Sequence, residues 1–283
     1  MPLLHAIFFG LVQGLTEFLP VSSSGHLSLV PWFFGWDDFG SDQALEDAFD
    51  VALHIGTLFG AAAYLRVDLA RYIGAGLRWI RIGGPPVGDA RLACLLGLTA
   101  VITAALGLVV MAVGGDLGDR TWVVAAALIG FGLLMWVFDR RPGLLPGSGP
   151  SHKAATMEDL TFRRATWLGV AQGLAFQPGV SRSGVVLTMA RGMGMERSEA
   201  ARLSFLMGLP VIAGAGLASS FNLSVPAGWW APFAVGMLAS AVSGWIAVNL
   251  LLRVVARSGL GGFAAYRVAV GVVVLGLLIA GVR

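Results

Sequence analysis

Charge is scarce in this chain. Of its 283 residues only 12% are Asp, Glu, Lys or Arg, against about 25% in an ordinary soluble domain. Cysteine is nearly absent. Cys94 stands alone, which excludes an internal disulfide and a cysteine-based metal cluster; its place in an apolar run reads as an inert buried thiol. No Lys or Arg precedes Arg66, so the N-terminus lacks the basic start of a secretory signal. Residues 1–34 are therefore expected in the mature protein. Low-complexity tracts are missing too, and with 57% hydrophobic residues disorder is excluded.

What is present is apolar length. Six runs near 48–65, 91–113, 121–138, 203–221, 229–252 and 264–282 approach the roughly 20 residues that cross a hydrocarbon layer. The 40 glycines would weaken soluble helices, but in a membrane they let helices approach closely. These features predict an all-α, polytopic membrane protein. The net charge of +3 then reflects where the arginines sit and gives no reason to expect nucleic acid.

Basic residues concentrate in 66–90, 139–164, 191–202 and 253–263. Among them are Arg66, Arg71, Arg78, Arg81, Arg140, Arg141, Lys153, Arg163 and Arg164. Segments 35–47, 114–120 and 222–228 hold one, Arg120, and 35–47 carries Asp37, Asp38, Asp42, Glu46 and Asp47. The positive-inside rule places the basic loops in the cytoplasm and the acidic one outside. Arg191, Arg197 and Arg202 read as topology determinants, and His5 and His152 as peripheral. The aromatic residues near 32–36 and Trp229-Trp230 fit an interfacial belt or a lipid entrance.

Two apolar segments are broken. Residues 3–34 are interrupted by Pro20 and Ser22-Ser23-Ser24-Gly25-His26, and residues 164–190 by Pro178, Gly179 and Ser181-Arg182-Ser183-Gly184. Each reads as a re-entrant helical hairpin, tolerated at membrane depth only inside protein or beside a wet cavity. Shifting the first by 159 positions lays Gly10-Leu11-Val12-Gln13-Gly14-Leu15 on Gly169-Val170-Ala171-Gln172-Gly173-Leu174, and Val21 to Gly25 on Val180 to Gly184. One membrane unit of two halves follows, about 1–138 and 161–283, joined by a hydrophilic linker at 139–160. Three spans separate the hairpins, so the halves are inverted. Inverted repeats with broken helices place a polar site near the midplane.

Arg182 is the most informative residue, because a guanidinium in an apolar hairpin is costly and needs a partner. It reads as a structural pair with Glu17 or as an anion site, its planar fork suiting phosphate oxygens. Ser181, Ser183 and the N–H groups of a helix opening at Gly184 support the second reading. Two facing hairpin ends would suit a diphosphate. Glu17 follows Gln13 by one turn and shares its face. A carboxylate beside a phosphate site points to proton transfer or to a hard divalent cation, Mg²⁺ or Ca²⁺. Ser22, Ser23 and Ser24 offer one nucleophile and two caps or phosphate donors. His26 reads as structural alone, and as an acid/base or nucleophile in this company. Asp50 and His54, an i,i+4 pair, read as a helix-orienting hydrogen bond or as part of the site.

These motifs, Gln13-Gly-Leu-Thr-Glu17-Phe-Leu-Pro-Val-Ser-Ser-Ser-Gly-His26 and Pro178-Gly-Val-Ser-Arg-Ser-Gly184, resemble those of the bacterial undecaprenyl-diphosphate phosphatases linked to bacitracin resistance. The resemblance runs over essentially the whole chain. It implies six transmembrane helices plus two re-entrant hairpins, and divalent-cation-dependent release of phosphate from a C55 polyprenyl diphosphate. It also implies a site toward the outer face of the inner membrane. Carried over by position, the catalytic residues are Glu17, Ser23, His26 and Arg182, with Glu17 on the metal. Gln13, Ser22, Ser24, Gly25, Ser181, Ser183 and Gly184 support the substrate. The family's first motif begins with Glu or Gln, and this chain has Gln13, so a second carboxylate is absent there. Membrane lipids are the expected surroundings, and a homodimer is an open option. The rival reading, from the inverted repeat alone, is a transporter that flips a polyprenyl phosphate; a structural scaffold leaves the buried charges without a use.

Overall fold

The computed structural model describes residues 1–114, 120–145, 154–220 and 225–282. His152, Lys153 and parts of segments 114–120, 139–160 and 222–228 lie outside the described residues. Eleven α-helices make up the described fold: α1 Leu3–Phe18, α2 Ser23–Phe34, α3 Gln43–Tyr64, α4 Arg66–Ile82, α5 Gly88–Gly114, α6 Thr121–Arg140, α7 Phe162–Leu174, α8 Arg182–Gly192, α9 Arg197–Ser220, α10 Trp230–Ser258 and α11 Gly261–Ile279. Among the described residues there is no named strand, only a single β-bridge between Ala155 and Met195.

Five helices, α5, α6, α9, α10 and α11, are long and apolar enough to cross a membrane. A sixth span is counted when α3 is taken with α4, the two being bent by 86°. The bend explains a departure from the sequence reading, which left 66–90 as a basic loop. Asp68, Tyr72 and Ala75 give α4 a buried stripe, while Val67, Ile73, Leu77 and Ile80 stay exposed beside the arginines. Such a helix gains by leaving the bundle and lying across its end. Arg202 of α9 holds α4 there through Asp68, at 2.9 and 2.5 Å. The α3 helix begins earlier than the apolar run because Asp42 caps it, accepting from the Leu45 N–H at 3.0 Å, and acidic residues suit a helix start.

Exposed Leu108, Val113, Leu238 and Ile279 would be anomalous in water and are expected against lipid. The tight packing lies inside. Both α1 and α3 pack on α10 through glycines. A β-carbon at Gly10 would strike Gly236 O and the Ala239 side chain, and one at Gly60 would strike Ala241 O. The spacings Gly10–Gly14 and Gly56–Gly60 are small-residue contacts of the membrane kind. Helices distant in sequence pair up: α1 lies on α10 and α7 on α5, while α6 pairs with α11.

The arginines read as topology determinants are also structural. Asp139 accepts from Arg191 Nε at 3.2 Å, from Arg197 Nε at 2.7 Å and from the Leu260 N–H at 3.0 Å, tying α6, α8, α9 and the start of α11. Beyond this knot Glu196 caps α9. Burial works to raise its carboxyl, but hydrogen bonds from the Ser198 hydroxyl and the Glu199 and Ser198 N–H groups hold it below the ordinary value. His5 Nδ1 donates to Asp38 Oδ2 at 2.7 Å and the ring stacks on Trp36. Cys94, expected to be buried, is half-buried on α5, because that helix turns much of its surface outward.

Candidate active site

The two broken segments form the hairpins α1–α2 and α7–α8, and their tips meet. Ser22 and Ser181 occupy the same place in each turn, both at positive φ, 80° and 74°. A side chain there is strained, and such strain persists only where the surroundings impose it. Each serine caps the helix that follows. Ser22 Oγ accepts from the Gly25 N–H at 3.3 Å, and Ser181 Oγ accepts from the Gly184 N–H at 3.1 Å. The repeat seen in the letters is thus a repeat of backbone shape at this point.

Hydrogen bonds join one tip to the other. Ser22 Oγ accepts from the Gly179 N–H at 3.1 Å. Ser183 Oγ donates to Glu17 O at 3.1 Å and to Leu19 O at 3.3 Å. Ser22 and Ser183 therefore build the junction, while Ser181 caps its own helix. Ser24 lies 3.4 Å from Ser22 Oγ and faces a cavity. Gly25 and Gly184 are buried in the first turn of their helices.

At the junction Glu17 gathers the polar groups. Arg182 Nη2 donates to its Oε1 at 2.9 Å. Its Oε2 accepts from Ser23 Oγ at 2.5 Å and from Gln13 Nε2 at 3.1 Å, and His54 Nε2 lies 3.6 Å away. Arg182 is not only a structural partner: 23% of its side chain is exposed, against 3% for Glu17. Together with Ser23, Ser24, Asp50, His54 and Ser181 it lines a cavity of about 480 Å³, whose other wall is apolar, with Val51, Phe176, Ile212 and Ala215. A cationic fork, a hydroxyl held by a carboxylate and a greasy wall thus share one space.

Of the residues expected to act together, His26 stands apart. Its Nδ1 is 2.7 Å from Ser22 O and its Nε2 is 2.7 Å from Tyr266 Oη. A carbonyl can only accept, so Nδ1 carries the proton and Nε2 accepts from Tyr266. The ring faces a second, apolar groove of about 380 Å³ with Trp32, Phe33, Val270 and Val273. The histidine at the cavity is His54. Its Nδ1 donates to Asp50 O at 2.8 Å, so the i,i+4 pairing is made by the backbone carbonyl and not the carboxylate. That bond turns Nε2 toward Glu17.

Three groups escaped the sequence reading: Tyr266, Arg267 and the buried acceptor of Gln172. Arg267 carried a signal, since it is a charge within the apolar run 264–282, the kind of position that marks a functional or structural need.

A hard cation can be tested against the donors here. Among the described residues no three His, Cys, Asp or Glu side chains converge. Gln13, whose Nε2 faces Glu17 at 3.1 Å, also carries Oε1, a buried acceptor with no hydrogen-bond partner among the described residues. One carboxylate and one orphaned amide oxygen do not make a closed cage. They fit the habit of Mg²⁺, which is held by one or two carboxylates with oxygens of a phosphate ligand.

Taken together, the molecule is a polytopic membrane protein with a cationic, hydroxyl-bearing pocket built where two helical hairpins meet. Its relatives are consistent with that description. Residues 6–273 match the family described as bacitracin resistance protein BacA. A protein of Geobacter sulfurreducens named undecaprenyl-diphosphatase is 40% identical over 99% of this chain and 100% of its own length. Proteins of the same name from Gemmatimonas aurantiaca and Rubrobacter xylanophilus are each 40% identical over 98% and 99% of this chain, and over 98% and 99% of their own lengths. The chain belongs to the BacA family.

Proposed function

We infer that this chain is an undecaprenyl-diphosphate phosphatase, which hydrolyses the C55 polyprenyl diphosphate to the monophosphate carrier and phosphate, and so regenerates the carrier for cell-wall synthesis. Family membership and the name of its relatives support the substrate. The observation in the molecule that carries the chemistry is the Ser23–Glu17–Arg182 contact across the two hairpins.

The steps follow from that contact. Arg182 binds the terminal phosphate oxygens, offsetting the repulsion from Glu17. Ser23 Oγ attacks the terminal phosphorus while its proton passes to Glu17 Oε2, the acceptor it already faces. The bond from that phosphorus to the bridging oxygen breaks, and the prenyl monophosphate leaves. Water then attacks the phosphoserine, releasing phosphate and returning the proton to Ser23. His54, beside Glu17, is the histidine placed to exchange protons with solvent through the cavity. His26 holds the Ser22 carbonyl and keeps the serine turn in shape. Glu17 and Gln13 Oε1, with phosphate oxygens of the substrate, would hold Mg²⁺ or Ca²⁺, which when bound supplies neutralising charge.

By the positive-inside rule the basic loops support a placement of the acidic segment 35–47 on the outer side of the bacterial inner membrane. The first hairpin is continuous with that segment, so the site works from the periplasmic face, with the prenyl chain against the apolar wall. Translocation of the lipid, suggested by the paired hairpins, gives no use for a serine hydroxyl bonded to a carboxylate.

The test is phosphate release from the C55 diphosphate by the purified chain in detergent. Release with Mg²⁺ or Ca²⁺ is expected, with loss on EDTA and in Ser23→Ala. Wild-type protein that frees no phosphate under any divalent ion would refute the reading.

A further inference from the structure

Among the described residues Arg267 is the largest fully buried side chain, with none of its surface exposed. It stands on α11, in the middle of an apolar run. A buried guanidinium ordinarily finds a carboxylate. Its hydrogen bonds here go instead to four backbone carbonyls. Nη1 donates to Pro20 O at 3.2 Å, Nη2 to Gly179 O at 2.7 Å and to Val180 O at 2.9 Å, and Nε to Leu128 O at 3.4 Å. Pro20 lies in the turn of the first hairpin, and Gly179 and Val180 in the turn of the second. One side chain therefore grips both tips.

The carbonyls it takes flank the strained serines. Pro20 precedes Ser22 by two residues and Val180 immediately precedes Ser181, the two side chains held at positive φ. Ser23 and Arg182 come next in each chain direction. The surroundings make room for the grip. Gly132 of α6 lies against the Arg267 stem, where a β-carbon would sit 3.1 Å from Arg267 Cβ. Gly184 lies against its head, where a β-carbon would sit 3.1 Å from Nη1.

We propose that Arg267 is a positioning residue for the phosphatase reaction: it pins the two hairpin turns against each other so that Ser23 and Glu17 of one meet Arg182 of the other. The shape of the side chain explains the choice. A planar guanidinium offers five N–H donors in a fixed fork and can satisfy carbonyls on two turns at once, whereas an ammonium is a point donor on a flexible stem. Its charge has a second effect. Answered by carbonyl dipoles alone, it leaves a positive field directly behind the turns that receive the diphosphate.

The proposal rests on the phosphatase reading, and its test separates the two. Arg267→Lys keeps charge and length but loses the fork; Arg267→Met keeps bulk and loses both. In purified full-length protein, Arg267→Lys should lower kcat about 100-fold, the scale of a misplacement of about 1 Å, with KM near wild type. Arg267→Met should lower kcat as far and raise KM as well, because the charge is gone. Arg267→Lys should melt within a few degrees of wild type, and Arg267→Met, which leaves buried carbonyls without a donor, should melt lower but still fold.

The geometric arm needs no activity. Spin labels at Ser28 and Leu174, on the exposed faces of the two hairpins, in a Cys94→Ser background, should give one narrow distance in the wild type and a broader or longer one in both variants. A wild type without phosphatase activity, but with this broadening in the variants, sinks the functional reading and keeps the positioning role. Normal kcat and an unchanged distance in Arg267→Met overturn the proposal. So does failure of both variants to fold, which assigns Arg267 to structure alone.

Discussion

Glu17→Gln is the perturbation that most directly interrogates the site. The carboxylate has two oxygens and serves three donors: Arg182 at 2.9 Å on one, Ser23 at 2.5 Å and Gln13 at 3.1 Å on the other. The amide keeps one acceptor. It can satisfy Arg182 or Ser23, and its NH₂ then opposes the donors left over. Two losses follow. Ser23 no longer has a base, and positioned proton transfer is worth about 10²–10⁴ in rate. Arg182 also keeps only a neutral partner. Breaking a buried ion pair costs about 3–5 kcal/mol, but Arg182 retains 23% exposure, so about 1–3 kcal/mol is the better scale. For a chain of this size that lowers Tm by roughly 2–10 °C. The assay is phosphate release on one purified sample, with Tm and a Mg²⁺ or Ca²⁺ titration alongside. A kcat reduced at least about 100-fold, with more cation needed for half-maximal rate, is expected, since the amide lacks the charge that attracts a hard ion. A large fall in Tm with kcat within tenfold of wild type and an unmoved cation curve would refute the base and metal roles together. Gln13 sharpens the result, because no carboxylate on that face can substitute.

Other outcomes follow from the same geometry. Arg182→Ala should cost activity by about 10³-fold or more with insertion intact, and Arg182→Lys should recover little, since the fork is lost; near-normal turnover of Arg182→Ala in the phosphate-release assay would end the anion-site argument. His54→Ala should lower kcat about tenfold or more, whereas Tyr266→Phe, which only frees His26 Nε2, should change it less; the reverse ranking would return the acid–base work to His26. A cysteine in place of Asp42 should react with an impermeant thiol reagent from outside intact cells and one in place of Arg78 should not, and the opposite labelling would invert the sidedness.

The spans were legible in the sequence because hydropathy and length are local properties, and α5, α6, α9, α10 and α11 follow the apolar runs closely. The hairpins were legible for the same reason: Pro20, Pro178 and the Ser-Gly turns break an apolar run where they stand. Glu17 and Arg182 could be nominated from the cost of burying charge. Their meeting, 165 residues apart, was a matter for tertiary structure. So was the histidine at the cavity. His26 adjoins the serines in sequence, yet a helix turns each successive residue by about 100°, and from the start of α2 its ring points to Tyr266, not to Glu17. His54 reaches Glu17 only because α1 and α3 both press on α10 through their glycines. The course of α4 depended on a partner too, since its buried stripe and Asp68 acquire meaning only against Arg202. Arg267 shows the division most clearly. Its sequence context says that a charge is buried, but its partners are backbone carbonyls from two turns, which no side-chain pattern encodes and only the packed chain brings within reach.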